Sequence, residues 1–317
     1  MKALVTGVAG FIGSALAARL IADGHEVVGV DLFTDYYAPE LKRANVEALA
    51  CPSFELIEGD LLHLDLVSAL RGVEVVYHQA GQPGVRNSWG REFGVYSRHN
   101  VDATQRLLEA VRTSRTVRRF VYASSSSIYG DASTFPTHES DPPLPISPYG
   151  VTKLAGEHLV RLYAHTMGVE TVSLRYFTVY GPKQRPDMGF SRFIHAALAG
   201  DEIEIYGDGE QIRDFTHVDD VVAANLAAAI GAIPPGAIFN VAGGSSVSVN
   251  TVLALLEEIH GAPLHVSYGE AADGDAYRTG ASTEAITAAL GWRARVPLEV
   301  GLRAQYDWTA ASLAATR

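Results

Sequence analysis

Lys2-Ala3-Leu4-Val5-Thr6-Gly7-Val8-Ala9-Gly10-Phe11-Ile12-Gly13 decides how the rest of the chain is read. Its first five residues form an apolar strand that Gly7 ends, and Ile12 to Asp23 then keeps helical spacing up to Gly24. The glycines at 7, 10 and 13 open one residue wider than the G-x-G-x-x-G dinucleotide fingerprint. Gly7 permits a tight turn, Gly10 the close approach of a pyrophosphate, and Gly13 close helix packing. The helix start, with Phe11 and Ile12, offers unpaired amides to that pyrophosphate. A second strand, Glu26 to Val30, ends in Asp31. A carboxylate there accepts from both hydroxyls of an adenosine ribose and repels a 2′-phosphate, so NAD is expected rather than NADP.

The alternation continues. Phe54 to Glu58, Glu74 to His78, Arg118 to Ala123 and Val169 to Leu174 read as strands, with helical stretches around Val101 to Val111 and Tyr149 to Met167. Repeated units of this length imply an α/β fold, a Rossmann-type doubly wound parallel sheet with helices on both faces. Ligands then bind at the carboxyl ends of the strands. That gathers Gly59-Asp60-Leu61, His78-Gln79-Ala80-Gly81-Gln82 and Ser124 to Ser127 around one crevice. His78 ends an apolar strand without a ligand partner at suitable spacing, so it reads as structural, and no metal is expected. After Arg175 the pattern loosens, punctuated by Pro182, Pro186, Gly189, Gly207 and Gly209. This part reads as a smaller C-terminal α+β substrate domain. The expected division is 1–180 for NAD, with a return to the sheet near 237–242, and 181–317 for the substrate.

Reactive chemistry is concentrated in Ser124-Ser125-Ser126-Ser127 and in Ser147-Pro148-Tyr149-Gly150-Val151-Thr152-Lys153. Ser147 and Pro148 suit a helix start, and Gly168 its end. Tyr149 and Lys153, four apart, share one helix face, where an ammonium can stabilise a phenolate. A serine hydroxyl supplies a second hydrogen-bond partner for the oxygen the tyrosine addresses. The plain alternative is a serine-rich turn before an ordinary amphipathic helix.

Composition narrows the partners. With 36 acidic against 25 basic residues the net charge is -11, and no basic run stands out, so nucleic acid and acidic membrane surfaces are not expected to bind. The single cysteine, Cys51, leaves no internal disulfide framework or cysteine-based zinc site and fits a reducing compartment. The chain opens directly into a strand pattern, and no apolar run reaches the ~18 residues of a membrane span. A cytoplasmic protein is expected.

With these motifs located, the chain resembles the extended short-chain dehydrogenase/reductase superfamily over nearly its full length. Beyond the stretches above, Arg213-Asp214-Phe215-Thr216-His217-Val218-Asp219-Asp220 carries the likeness. Within it the chain looks like the NAD-dependent nucleotide-sugar 4-epimerases. Asp31-Leu32-Phe33-Thr34-Asp35-Tyr36-Tyr37 and Tyr176-Phe177-Thr178-Val179-Tyr180-Gly181-Pro182, with Arg185-Pro186-Asp187-Met188, are similar to UDP-glucuronic acid 4-epimerases. The resemblance implies reversible conversion of UDP-glucuronic acid to UDP-galacturonic acid through a 4-keto intermediate with tightly bound NAD. Tyr149 takes the O4 proton, Lys153 lowers the tyrosine pKa and holds the nicotinamide ribose, and Ser125, with Ser124 as the alternative, orients O4. Tyr176 joins the cofactor contacts. Thr178 stands where glucose epimerases and decarboxylases carry asparagine, and with Arg185, Ser126 and Ser127 it makes a carboxylate receptor. Tyr206, Gln211 and Arg213 resemble the uridine diphosphate segment, with Asp275 as ribose contact and Arg86 or Arg192 replacing an arginine missing before Gly274-Asp275. A homodimer is implied as well. Rival readings are a UDP-glucose 4-epimerase, a UDP-glucuronate decarboxylase and, from another class, a non-catalytic NAD sensor.

Overall fold

The computed structural model describes residues 1–270 and 276–315. A seven-stranded sheet organises it: β1 (Lys2–Thr6), β2 (Glu26–Asp31), β3 (Phe54–Glu58), β4 (Val75–His78), β5 (Arg119–Ser125), β6 (Thr171–Tyr176) and β7 (Ala237–Val241). The spatial order is β3-β2-β1-β4-β5-β6-β7, and every neighbouring pair is parallel. Winding reverses between β1 and β4, where an open α/β sheet leaves a crevice beyond its carboxyl ends.

Among the helices that cover the sheet are α1 (Phe11–Ala22), α2 (Ala103–Thr113), α3 (Pro148–Met167) and α4 (Val218–Ile230). Parallel strands need cover on both faces, and β1 illustrates it. Ala3 and Val5 enter one core with Leu16 and Leu20 of α1 and Val221 and Ala224 of α4. Leu4 enters the opposite core with Leu107 and Leu108 of α2 and Val160 of α3. The sequence returned only 237–242 of the later chain to this sheet; α4 comes with it. Val218, Val221, Val222, Ala224, Ala228 and Ala229 are all buried. A helix apolar nearly all round gives no one-sided stripe to read.

The cap signals of α3 are realised. Ser147 Oγ accepts the Gly150 amide at 3.1 Å, Pro148 sits in the first turn, and Gly168 closes the helix at φ 68°. In the later chain, helices Gly189–Ala199, Val249–His260 and Leu298–Ala315 surround Phe190, Ile194, Val252, Leu256 and Leu302. Beside them, Ile203–Tyr206 pairs with Val266–Gly269, and Ile212–Asp214 with Ser246–Ser248. Among the described residues no helix is long and apolar enough to cross a membrane.

Candidate active site

Two cavities open beyond the carboxyl ends of the strands and meet at Tyr149, which lines both. The first is bounded by Gly7, Gly10, Phe11, Ile12, Gly13, Asp31, Asp60, Leu61, Gln79, Ala80, Gly81, Lys153 and Tyr176. Every residue that the sequence set aside for the cofactor is thus gathered there. Gly7 turns at φ 69°, and a Cβ on it would lie 2.8 Å from the Ala80 nitrogen. A Cβ on Gly13 would collide with the Gly7 carbonyl oxygen. These glycines let α1 begin against the loop, and its start at Gly10 has no side-chain cap. Amides left without a cap at a helix start suit a pyrophosphate. Asp31 accepts the Ala9 amide at 3.0 Å and the Phe33 amide at 2.8 Å. A carboxylate has about four acceptor positions, so two remain for ribose hydroxyls. The residues present therefore fit a dinucleotide. Gln79 contributes differently from a free ligand, since its amide bonds Asn225 and Tyr176.

The second cavity, of about 660 Å³, lies within the size range of small-molecule sites. Arg86, Ser126, Ser127, Thr178, Arg185, Arg192, Tyr206, Gln211 and Arg213 all line it. Asp275 lies outside the described residues. Arg86 stands over the Tyr206 ring at 4.2 Å and Arg192 at 5.6 Å from the same centroid. Gln211 donates to the Tyr206 carbonyl at 3.0 Å, and Arg213 to the carbonyls of Ile212 and Tyr277.

At the junction, pairing decides which serine does what. β5 runs on through Ser125, and the ladder sets Ser124 against Arg175 and Ser125 against Tyr176. Ser124 donates to Glu157 at 2.6 Å, and Arg175 donates to the same carboxylate at 2.7 and 3.0 Å. Ser124 is committed to this buried pair, whereas Ser125 lines the second cavity together with Tyr149. Ser125 Oγ also accepts the Ser127 amide at 3.1 Å. Burial pushes the Tyr149 phenol above its ordinary pKa, opposed by the Ser125 hydroxyl and the Arg185 guanidinium. The sequence assigned that opposition to Lys153. In the structure the Lys153 ammonium sits 4.6 Å from the Tyr122 ring centroid, and burial lowers its own pKa to about 8 against the favourable charge of Glu157.

Several contributors escaped the sequence reading. Asn100 accepts the Gln82 amide at 2.7 Å and donates to Gln82 O and Thr152 Oγ1 at 3.0 Å, tying the loop after β4 to the active-site helix. It lies in a π-helical turn, Arg98–Asp102. Tyr96 meets Tyr149 edge to face at 6.2 Å. Glu157, one turn beyond Lys153, was legible from its i,i+4 spacing. His78 is structural, as read: it bonds Thr6 at 2.8 Å and Thr104 at 2.9 Å, and burial chiefly depresses its pKa to about 3.

A parallel sheet with a glycine-cradled dinucleotide cleft, joined at a tyrosine, lysine and serine to a second cavity, defines a nucleotide-dependent enzyme of the short-chain dehydrogenase type. The model of the NAD dependent epimerase/dehydratase family matches residues 3–242, and the chain belongs to that family. It is 45% identical over 271 residues, 84% of this chain and 85% of the relative, to an uncharacterized UDP-glucose epimerase of Bacillus subtilis (strain 168), YtcB. UDP-glucuronic acid 4-epimerase from Bacillus cereus, solved with UDP-glucuronic acid and NAD, superposes with TM-score 0.95 at 40% identity, covering 98% of this chain and 100% of that one. MoeE5, solved with UDP-glucose and NAD, gives TM-score 0.89 at 45% identity, covering 99% and 100%.

Proposed function

We propose that the protein reversibly inverts C4 of UDP-glucuronic acid to give UDP-galacturonic acid, through a 4-keto sugar, with NAD retained throughout. The observation that carries this is the meeting of Tyr149, Ser125 and Arg185 where the two cavities join. NAD, bound in the first cavity, supplies the acceptor and donor of hydride at C4. Tyr149 takes the O4 proton and returns it; Ser125 orients O4. Lys153, which lines the first cavity and is charged below about pH 8, holds the nicotinamide ribose. The substrate unit, within 181–317, brings Tyr206 and Gln211 to the nucleotide and Arg213 to the diphosphate, joined there by Arg86 from the loop after β4 or by Arg192 beside Tyr206. Asp275 keeps the ribose role as a sequence-based proposal.

The uronic-acid assignment rests on Arg185, Thr178, Ser126 and Ser127 lining the same cavity as Tyr149. A β-keto acid loses carbon dioxide when its C5–C6 bond stands perpendicular to the ketone plane. A receptor that fixes the carboxylate away from that alignment separates epimerisation from decarboxylation. The relative named as an uncharacterized UDP-glucose epimerase, and MoeE5 solved with UDP-glucose, support a neutral hexose as the second reading. Comparing kcat/KM for UDP-glucuronic acid and UDP-glucose in the wild type and Arg185→Ala tests the choice. The acid should lose at least about tenfold more than the neutral sugar, as expected for a lost charge-assisted pair; equal losses would refute the assignment. A cytoplasmic homodimer is the form we propose, supported by Val151 and Leu162, exposed on one face of α3. Sedimentation at several concentrations checks it.

A further inference from the structure

Arg185 does not face the cavity unpartnered. Its Nε and Nη2 donate to the two oxygens of Asp187 at 2.9 and 3.0 Å. Tyr36 in turn donates its hydroxyl to Asp187 Oδ2 at 3.3 Å. Three loops converge here. Tyr36 comes from the loop after β2, next to the ribose-binding Asp31. Gly84 comes from the loop after β4, and a Cβ on it would strike the Tyr36 hydroxyl. Arg185 and Asp187 come from the loop before helix Gly189–Ala199. Tyr36 and Arg185 line both cavities, whereas Asp187 lines only the second and is about one-third exposed.

A guanidinium has five N–H donors in a fixed fork. With Nε–H and one Nη2–H given to Asp187, three remain, on Nη1 and the far side of Nη2. That end-on edge matches a second carboxylate. We propose that Asp187, braced by Tyr36, is the positioning residue of the acid subsite: by holding one edge of Arg185 it presents the other to the substrate carboxylate. The proposal rests on the uronic-acid reading above. Its consequence is chemical as well as geometric. When the carboxylate is loosely held, the C5–C6 bond of the 4-keto intermediate can break and release carbon dioxide. The bond's electron pair passes into the C4 carbonyl as an enolate, which takes a proton from water to give a UDP-4-keto-pentose.

The test compares Asp187→Asn and Asp187→Ala, each alone and combined with Arg185→Ala, using UDP-glucuronic acid and the NAD-loaded enzyme. Three quantities are measured: kcat/KM, the pentose fraction of the product, and retained NAD. Each single variant should lose about tenfold or more in kcat/KM, produce a larger pentose fraction, and keep its NAD. Neither should add a loss to Arg185→Ala, because the residue acts through that guanidinium. Tyr36→Phe should shift the same quantities in the same direction, by less. Activity that is unchanged or raised, or the same fold-loss in the Arg185→Ala background, would overturn the proposal. If Arg185→Ala alone discriminates against the acid while Asp187→Asn behaves as wild type, only the role of Asp187 falls. If the wild type does not convert UDP-glucuronic acid, both readings fall.

Discussion

Replacing Glu157 by Gln should expose how the serine beside the reactive one is held. Glu157 and Arg175 are each at most 4% exposed along their side chains, and the carboxylate accepts three hydrogen bonds, two from Arg175 and one from Ser124. A glutamine offers one oxygen to those three donors and adds an NH2 that points at them. The guanidinium is then buried without its counter-charge, which costs roughly 3–5 kcal/mol. For 317 residues the unfolding entropy is about 0.7 kcal/mol/K, so Tm should fall by roughly 4–8 °C. A second effect is independent of stability. Glu157 raises the Lys153 pKa against burial, holding it near 8. Without that charge the pKa drops further, so the alkaline decline of kcat, where the ammonium is lost, should move to lower pH. Calorimetry and a pH–rate profile on the same variant check the two effects. An unchanged Tm with an unmoved alkaline limb would refute the account of this network.

Gly13→Ala should fold but release its NAD, since the new methyl meets the Gly7 carbonyl and must displace α1 from the loop; NAD extracted per protein chain measures this. Its overpacking should cost about 1–3 kcal/mol in urea denaturation. His78 holds its folded pKa near 3, below the ordinary 6.5, so the unfolded chain binds the extra proton between those values. Stability from this group is therefore full above about pH 6.5 and falls away toward pH 3, by on the order of a few kcal/mol. His78→Gln should flatten that acid slope in urea midpoints; an unchanged slope would place the acid sensitivity elsewhere. Ser125→Ala removes the hydroxyl that lowers the Tyr149 pKa. The apparent pKa for proton abstraction should rise and kcat fall about 100-fold at neutral pH, whereas Ser124→Ala should act chiefly on stability.

Local signals carried most of the fold. β1, the glycine turn and α1 follow from an apolar run, three glycines and helical spacing, and Asp31 from its place at a strand end. The caps of α3 are readable because capping is decided within a few residues. What escaped is non-local. The register within Ser124 to Ser127 depends on which serine the β6 ladder and Glu157 engage. The pairing of Arg185 with Asp187 lies within a stretch the sequence had already singled out, yet nothing in the spacing says that the arginine arrives partnered. Nor does it place Tyr36, 151 residues earlier, against that aspartate. The likeness to UDP-glucuronic acid 4-epimerases, drawn from Thr178 and the residues around it, agrees with a relative of the same name at TM-score 0.95.

The central claim is best tested by the product itself. Purified wild-type protein, given UDP-glucuronic acid and no added NAD, is expected to yield UDP-galacturonic acid at equilibrium with its substrate, identified by the inverted C4 proton couplings in NMR. Accumulation of a UDP-pentose, or turnover of UDP-glucose with none of the acid, would contradict it.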